Sequence, residues 1–299
     1  MTEAPAVGQD LGGELAATIE HGRICGLAAG GQRDLQAAAD AHPQLFPPRP
    51  FDATVFSTVA MATAFGAPWC TREQLRIANL TALWVFAADW RVDYLAERPG
   101  DVEAVVEGCL RVADGETPAE GDELGRMLAE VRDELAAAPA FAAHRPAWRE
   151  ELRRMLAAMR REWQWKHSRT LPAFPEYLEN ADNFGSSWVN VSHWIGLGEP
   201  GTLDNLAALT GVGRTVQRVL RLVNDLATYR RDVGWGDLNA LMLGLDRDEL
   251  TRHIGELVRQ GLAEAGQLSA RCPQEAVYLT RQIGFSSGFY RVSDFWGGL

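Results

Sequence analysis

The chain has almost no lysine: Lys166 stands alone among 29 basic residues, against 40 acidic ones, for a formal charge of −11 over 299 residues. No block of positive charge exists to neutralise a phosphate backbone, which excludes nucleic acid as a partner. Cysteine is also scarce. Cys25, Cys70, Cys109 and Cys272 are scattered without a CxxC spacing, so neither a disulfide framework nor a paired-thiol metal site is expected. Met1 to Asp10 lacks the basic and apolar regions of a secretory leader, and the reading is a reducing cytoplasm. Long apolar runs are missing as well. The uncharged stretch Ala53 to Cys70 carries Thr54, Ser57, Thr58 and Thr63 and breaks at Gly66 and Pro68, whereas a membrane span needs about 20 mostly apolar residues. A buried helix is expected there.

No run alternates apolar and polar residues for long enough to argue for a sheet, and no GxSxG, P-loop or dinucleotide-type glycine motif occurs. His21 and Cys25 have helical metal-ligand spacing, but no second pair follows, so zinc is not expected. What is present is helical periodicity and 46% hydrophobic residues, enough for a globular all-α fold in one domain over residues 1–299. Ten helices are expected. Among them are Leu11 to Ala29, Thr71 to Leu95, Pro175 to Ile195, Gly213 to Val233 and Pro273 to Trp296, with Thr71 and Gln74 spaced as a capping box.

Two helices carry oxygen donors in regular spacing. The first is apolar through Leu80, Leu83, Trp84, Ala87 and Ala88, then presents Asp89 and Asp93 at i, i+4 near its C-terminal end. Two anions at the negative end of a helix dipole are locally unfavourable, so a cation is expected against them. It could be an arginine, Arg91 or Arg98, or a metal. In the second helix, Asn224, Thr228 and Asp232 at i, i+4 and i+8 form a ladder of amide oxygen, hydroxyl and carboxylate. These are hard donors of the kind Mg²⁺ prefers, with waters and phosphate oxygens completing its shell. A plain polar helix face remains the alternative on spacing alone.

Taken together, the two stretches resemble the paired metal-binding motifs of class I terpene synthases. The aspartate-rich motif DDxxD, preceded by an aromatic residue, aligns as Phe86, Asp89, Trp90 and Asp93, with Trp90 where a second Asp is usual. The motif NDxxSxxxE aligns as Asn224, Asp225, Thr228 and Asp232. The resemblance spans nearly the whole chain. A related prenyl-chain synthase would carry a second aspartate-rich motif in place of Asn224 and Thr228, which favours cyclisation over chain elongation.

This resemblance implies a helical bundle around an apolar cavity, three Mg²⁺ ions, an isoprenoid diphosphate substrate and its ionisation to an allylic carbocation. It places Asp89, with Asp93 second, as metal ligands on one wall. Asn224, Thr228 and Asp232 hold an ion on the other, and Asp89, Asn224, Thr228 and Asp232 form the catalytic set. Arg231 and, more weakly, Arg291 are the implied diphosphate contacts. The sensor arginine that bacterial members carry near Ala181 is missing, and the segment Glu176 to Ala181 resembles plant-type enzymes. A diterpene synthase using a geranylgeranyl or copalyl-type diphosphate is the implied reading. Its rivals are a catalytically retired relative that binds a prenyl diphosphate, and a linear prenyl-chain synthase. Homodimerisation is left open. Phe86, Phe184, Trp188 and Trp296 are the aromatic pocket candidates, with Phe184 and Trp188 at i, i+4 expected on one face.

Overall fold

The computed structural model describes residues 11–296, which contain twelve α-helices, three short turns of π or 3-10 helix and no strand. The first helix, α1 (Leu11–Ala41), runs well past Ala29. Gly30 and Gly31, just past the expected end, serve close packing. A Cβ on Gly31 would lie 2.9 Å from the Asn79 side-chain nitrogen and 3.3 Å from the Ala60 Cβ, so only a bare backbone lets α1 settle on the next two helices. The uncharged stretch forms α2 (Ala53–Gly66), started by Asp52, whose carboxylate accepts from the Thr54 and Val55 N–H groups at 2.8 and 3.2 Å. The expected capping box of Thr71 and Gln74 opens α3 (Arg72–Trp90).

At Trp90 the helix changes pitch. Arg91–Leu95 is a π turn, closed by the Ala96 N–H donating to the Arg91 carbonyl five residues back at 3.0 Å. Then follow α4 (Pro99–Ala113), α5 (Glu123–Ala136) and α6 (Phe141–Ser168). The single helix expected from Pro175 to Ile195 is divided into α7 (Phe174–Glu179), a 3-10 turn over Ala181–Phe184, and α8 (Ser186–Leu197). Gly185 makes the division. Its φ is +77°, and a Cβ there would lie 2.7 Å from a Val85 methyl, so glycine alone fits both the turn and the contact with α3. The short α9 (Pro200–Asp204) leads to α10 (Leu206–Trp235), then α11 (Arg247–Leu268) and α12 (Pro273–Phe289).

Five of these helices close a ring, each packing on the next in the order α2, α3, α8, α10, α12 and back to α2. The ring surrounds a cavity of about 250 Å³. Helix α6 lies outside α8 and lends Glu162 to the cavity wall, while α1, α4, α5 and α11 support the ring from behind. The C-terminal helix ends at Phe289 rather than Trp296, because the chain turns back and sets Phe295 and Trp296 against Phe86, with ring centres 5.5 and 5.2 Å away. No helix among the described residues is long and apolar enough to cross a membrane.

Candidate active site

Asp89 and Asp93 open into the same cavity as Asn224 and Asp232, so the two motifs face one hollow from α3 and α10. Below them the wall is apolar, with Val59, Ala62, Ala82, Val85, Val189 and Leu220. Phe86, Phe184 and Trp296 line it as expected from the sequence; Trp188 does not. Trp188 is fully buried between Trp84 and Trp148, with ring centres 5.1 and 5.6 Å away. The break at Gly185 separates Phe184 from Trp188, so the shared helical face expected of them does not exist.

The second motif is compact. The Thr228 hydroxyl lies 2.7 Å from Asp232 Oδ2 and 3.5 Å from Asn224 Oδ1, which brings the three oxygens together along the helix. Adjacent ligands of an octahedral Mg²⁺ are about 2.9 Å apart for bonds of about 2.1 Å, so the donor set fits that ion in type and spacing. Thr228 itself sits behind the cavity wall, donating to Asp232 or to the Asn224 carbonyl at 2.9 Å. Asn239 donates to Asp232 Oδ2 at 2.8 Å and holds the carboxylate in place. Asp225, the remaining motif residue, also lines the cavity, but its Oδ2 is engaged: the side chain is buried and accepts from the Tyr177 hydroxyl at 2.9 Å and the Ala240 N–H at 3.2 Å. It ties α10 to α7 and to the turn after α10. Among the described residues, no three His, Cys, Asp or Glu side chains converge closely enough to chelate an ion by themselves. An ion here needs the amide and hydroxyl donors, water and a ligand's own oxygens.

The electrostatics are those of a buried acidic cluster. Burial, reinforced by the negative charges of Asp237 and Glu162, pushes the Asp89 carboxyl up to about 7. Asp93 lies well above the usual carboxylate range, through burial first and then Asp89 and Glu162. Burial also raises Asp232, and raises Asp225 to about 7 although Arg221 and the Tyr177 hydroxyl favour its charge. Arg231 is the nearest counter-charge on the second wall, 3.2 Å from Asp232 and 2.9 Å from Asp294, and its buried Nε has no hydrogen-bond partner. That leaves one donor free for an anion. Arg291 is exposed and does not line the cavity, because the chain has left α12 before reaching it.

Several site residues escaped the sequence reading. Arg221, one turn before Asn224, is 3% exposed and lines the cavity. It donates twice to Glu162 at 2.8 and 2.9 Å, donates to the Asn180 carbonyl at 3.3 Å, bonds the Asn183 side chain and lies 3.9 Å over the Tyr177 ring. Arg221 thus reaches the break between α7 and α8 from α10. Lys166, the sole lysine, donates to Asp237 at 2.7 Å and to the Asp93 carbonyl at 3.3 Å, and Tyr94 donates to Asp237. The basic side chain bonded at the α3 terminus is therefore Lys166 of α6, not Arg91 or Arg98, and it takes the Asp93 carbonyl and Asp237 rather than the Asp89 or Asp93 carboxylate. Trp90 packs at the rim, stacked on Tyr94 at 4.5 Å with Trp296 and Phe51 nearby.

Comparison with known proteins agrees with this architecture. Residues 81–264 match the family described as terpene synthase family 2, C-terminal metal binding. The chain belongs to that family, and is an enzyme of the terpene cyclase type, a carbon–oxygen lyase. It is 26% identical over 276 residues to the ent-pimara-9(11),15-diene synthase of Streptomyces sp. (strain KO-3988), covering 88% of this chain and 90% of that one. Its fold matches the linalool/nerolidol synthase of Streptomyces clavuligerus in complex with 2-fluorogeranyl diphosphate, with a TM-score of 0.70 and 18% identity over 88% of this chain and 94% of that one. It matches 2-methylisoborneol synthase from Streptomyces coelicolor A3(2), in complex with Mg²⁺ and geranyl-S-thiolodiphosphate, with a TM-score of 0.72 and 18% identity over 91% and 93%.

Proposed function

We propose that this enzyme is a Mg²⁺-dependent diterpene synthase that ionises geranylgeranyl diphosphate or a copalyl-type diphosphate and cyclises the resulting carbocation. The observation that carries this reading is the opening of Asp89, Asp93, Asn224 and Asp232 onto one cavity whose deeper walls are apolar and aromatic. Asp89, with Asp93 behind it, would hold Mg²⁺ on the α3 wall, and Asn224, Thr228 and Asp232 on the α10 wall, for three ions in all. Bound there, Mg²⁺ supplies Lewis-acid stabilisation of the charge that develops on a departing diphosphate.

The chain's own residues do the rest. Arg231 offers a guanidinium fork to the diphosphate and in doing so exchanges its pairing with Asp294 for the ligand. Arg221, anchored by Glu162, keeps a fixed positive charge beside the Asn224 end of the site. Phe86, Phe184, Phe295 and Trp296 turn aromatic surface towards the hydrocarbon, and each face attracts a passing cation by about 0.5 to 2 kcal/mol. The apolar walls keep bulk water from the cation until the rings have closed. The ent-pimara-9(11),15-diene synthase relative supports a diterpene over a shorter substrate.

Incubation with Mg²⁺ and a panel of prenyl diphosphates of ten to twenty-five carbons, followed by gas chromatography, tests the reading. A cyclic twenty-carbon product is expected. A longer linear chain on addition of isopentenyl diphosphate would assign chain synthesis instead, and binding without any product would assign a retired relative.

A further inference from the structure

Helix α12 turns a line of polar side chains into the apolar part of the cavity. Tyr278, Gln282, Ser286 and Tyr290 follow one another at four-residue steps, a spacing that keeps them on one slowly winding face, and all four line the cavity. The first two are braced from behind by Asn190 of α8. The Tyr278 hydroxyl donates to Asn190 Oδ1 at 2.9 Å, Gln282 Nε2 donates to the same oxygen at 2.8 Å, and Asn190 Nδ2 donates back to Gln282 Oε1 at 3.2 Å. The network fixes Gln282 and commits the Tyr278 proton, yet leaves a lone pair on Gln282 Oε1. Ser286, one turn along, is 7% exposed, and its hydroxyl has no hydrogen-bond partner among the described residues. The Ser286 side chain lines the cavity, and a water held in a protein wall needs two to four polar partners, of which the Ser286 hydroxyl can supply a donor and Gln282 Oε1 an acceptor.

We propose that the Gln282–Ser286 seam holds a water molecule and delivers it to a late carbocation, so that the enzyme releases a terpene alcohol. This rests on the prenyl-diphosphate reading above. Cations meet whatever nucleophile lies within reach, and a water fixed in the cavity wall is one that can add and then lose a proton once the carbon–oxygen bond to the diphosphate has broken. The water oxygen forms a bond to the cationic carbon, one O–H bond of the resulting oxonium breaks, and the proton passes to the released diphosphate. No oxidant or reductant is needed. Gln282 and Ser286 are positioning residues in this step, since they act through the water.

The test uses the full chain with Mg²⁺ and geranylgeranyl or copalyl diphosphate in ¹⁸O-water, with products weighed by mass spectrometry and pyrophosphate release measured alongside. An alcohol carrying ¹⁸O is expected as the main product. Ser286→Ala and Gln282→Met should each lower the alcohol-to-hydrocarbon ratio about tenfold, while Ser286→Thr, which keeps the hydroxyl, should hold it within about twofold. The ratio is read within each variant's own products, so a partial loss of folded protein does not move it. Pyrophosphate release with hydrocarbon alone, alcohol without the label, or a ratio unmoved by both substitutions overturns the inference and leaves the synthase reading standing. No pyrophosphate release from either substrate overturns the inference together with that reading.

Discussion

The buried Arg221–Glu162 pair ties α10 to α6 beside the cavity, and its removal has a calculable cost. Arg221 Nη2 donates to both carboxylate oxygens of Glu162, at 2.8 and 2.9 Å, and the side chains are 4% and 14% exposed. Breaking such a pair from one side leaves an uncompensated buried charge, at about 3 to 5 kcal/mol, whereas replacing both partners by apolar groups is often near neutral. Arg221→Leu strands Glu162 among Asp89, Asp93 and Asp237, so its cost should fall at the upper end of that range. For a chain of this size the fall in Tm is on the order of 10 °C. Glu162→Leu should cost a similar amount, and the double variant should recover at least about 2 kcal/mol of the summed loss. Thermal and urea unfolding of the four proteins measure this directly. Single variants within about 1 kcal/mol of wild type, or strictly additive losses, would refute the argument that this pair anchors the site.

Four other outcomes follow from the same geometry. Asp89 and Asp225 have carboxyls raised from 3.8 to about 7, so the stability they contribute to the ion-free protein is fully present below the lower value and gone above the upper one; Tm should fall between about pH 4 and pH 7 and level off beyond, and Mg²⁺ with pyrophosphate should restore it most strongly on that plateau. Trp188→Ala should cost about 3 to 5 kcal/mol of stability yet leave the product pattern of the folded fraction unchanged, as product analysis of soluble protein will show. Trp90→Asp, which restores the usual aspartate-rich pattern, should lower stability by about 2 kcal/mol in urea unfolding, because it removes the Tyr94 stack and adds an anion beside Asp89 and Asp93. Arg231→Met should raise KM for a prenyl diphosphate about tenfold or more in steady-state kinetics, while Arg291→Met should change it by less than about twofold.

How much could be read from the chain depends on how local each signal is. Asp89 with Asp93, and Asn224 with Asp232, were legible because helical spacing fixes their relative placement and their chemistry is unusual for helix ends. The π turn after Trp90 was not legible, since it depends on a ladder shift that no residue type announces. The first helix was expected to end at Ala29, just before Gly30 and Gly31; the use of these glycines, close contact with Arg72 and Asn79, exists only in three dimensions. Trp188 was misplaced for the opposite reason: a helical spacing was trusted across Gly185, where the backbone takes a positive φ. Arg221, Glu162, Lys166 and Asp237 come from three separated stretches of chain, and nothing in their spacing points to one another. Lys166 was the one available hint, since a lone lysine in an arginine-rich chain stands out. The ladder of Tyr278, Gln282, Ser286 and Tyr290 was present as four-residue steps, but only the cavity gives it meaning.

The claim that two walls act on one diphosphate is tested most directly by measuring pyrophosphate release from geranylgeranyl and copalyl diphosphates, with and without Mg²⁺, for wild type, Asp89→Ala and Asn224→Ala. The account predicts release only with Mg²⁺, and a loss of about a hundredfold or more from either wall alone. Release that persists without Mg²⁺, or that survives removal of either side chain, would contradict it.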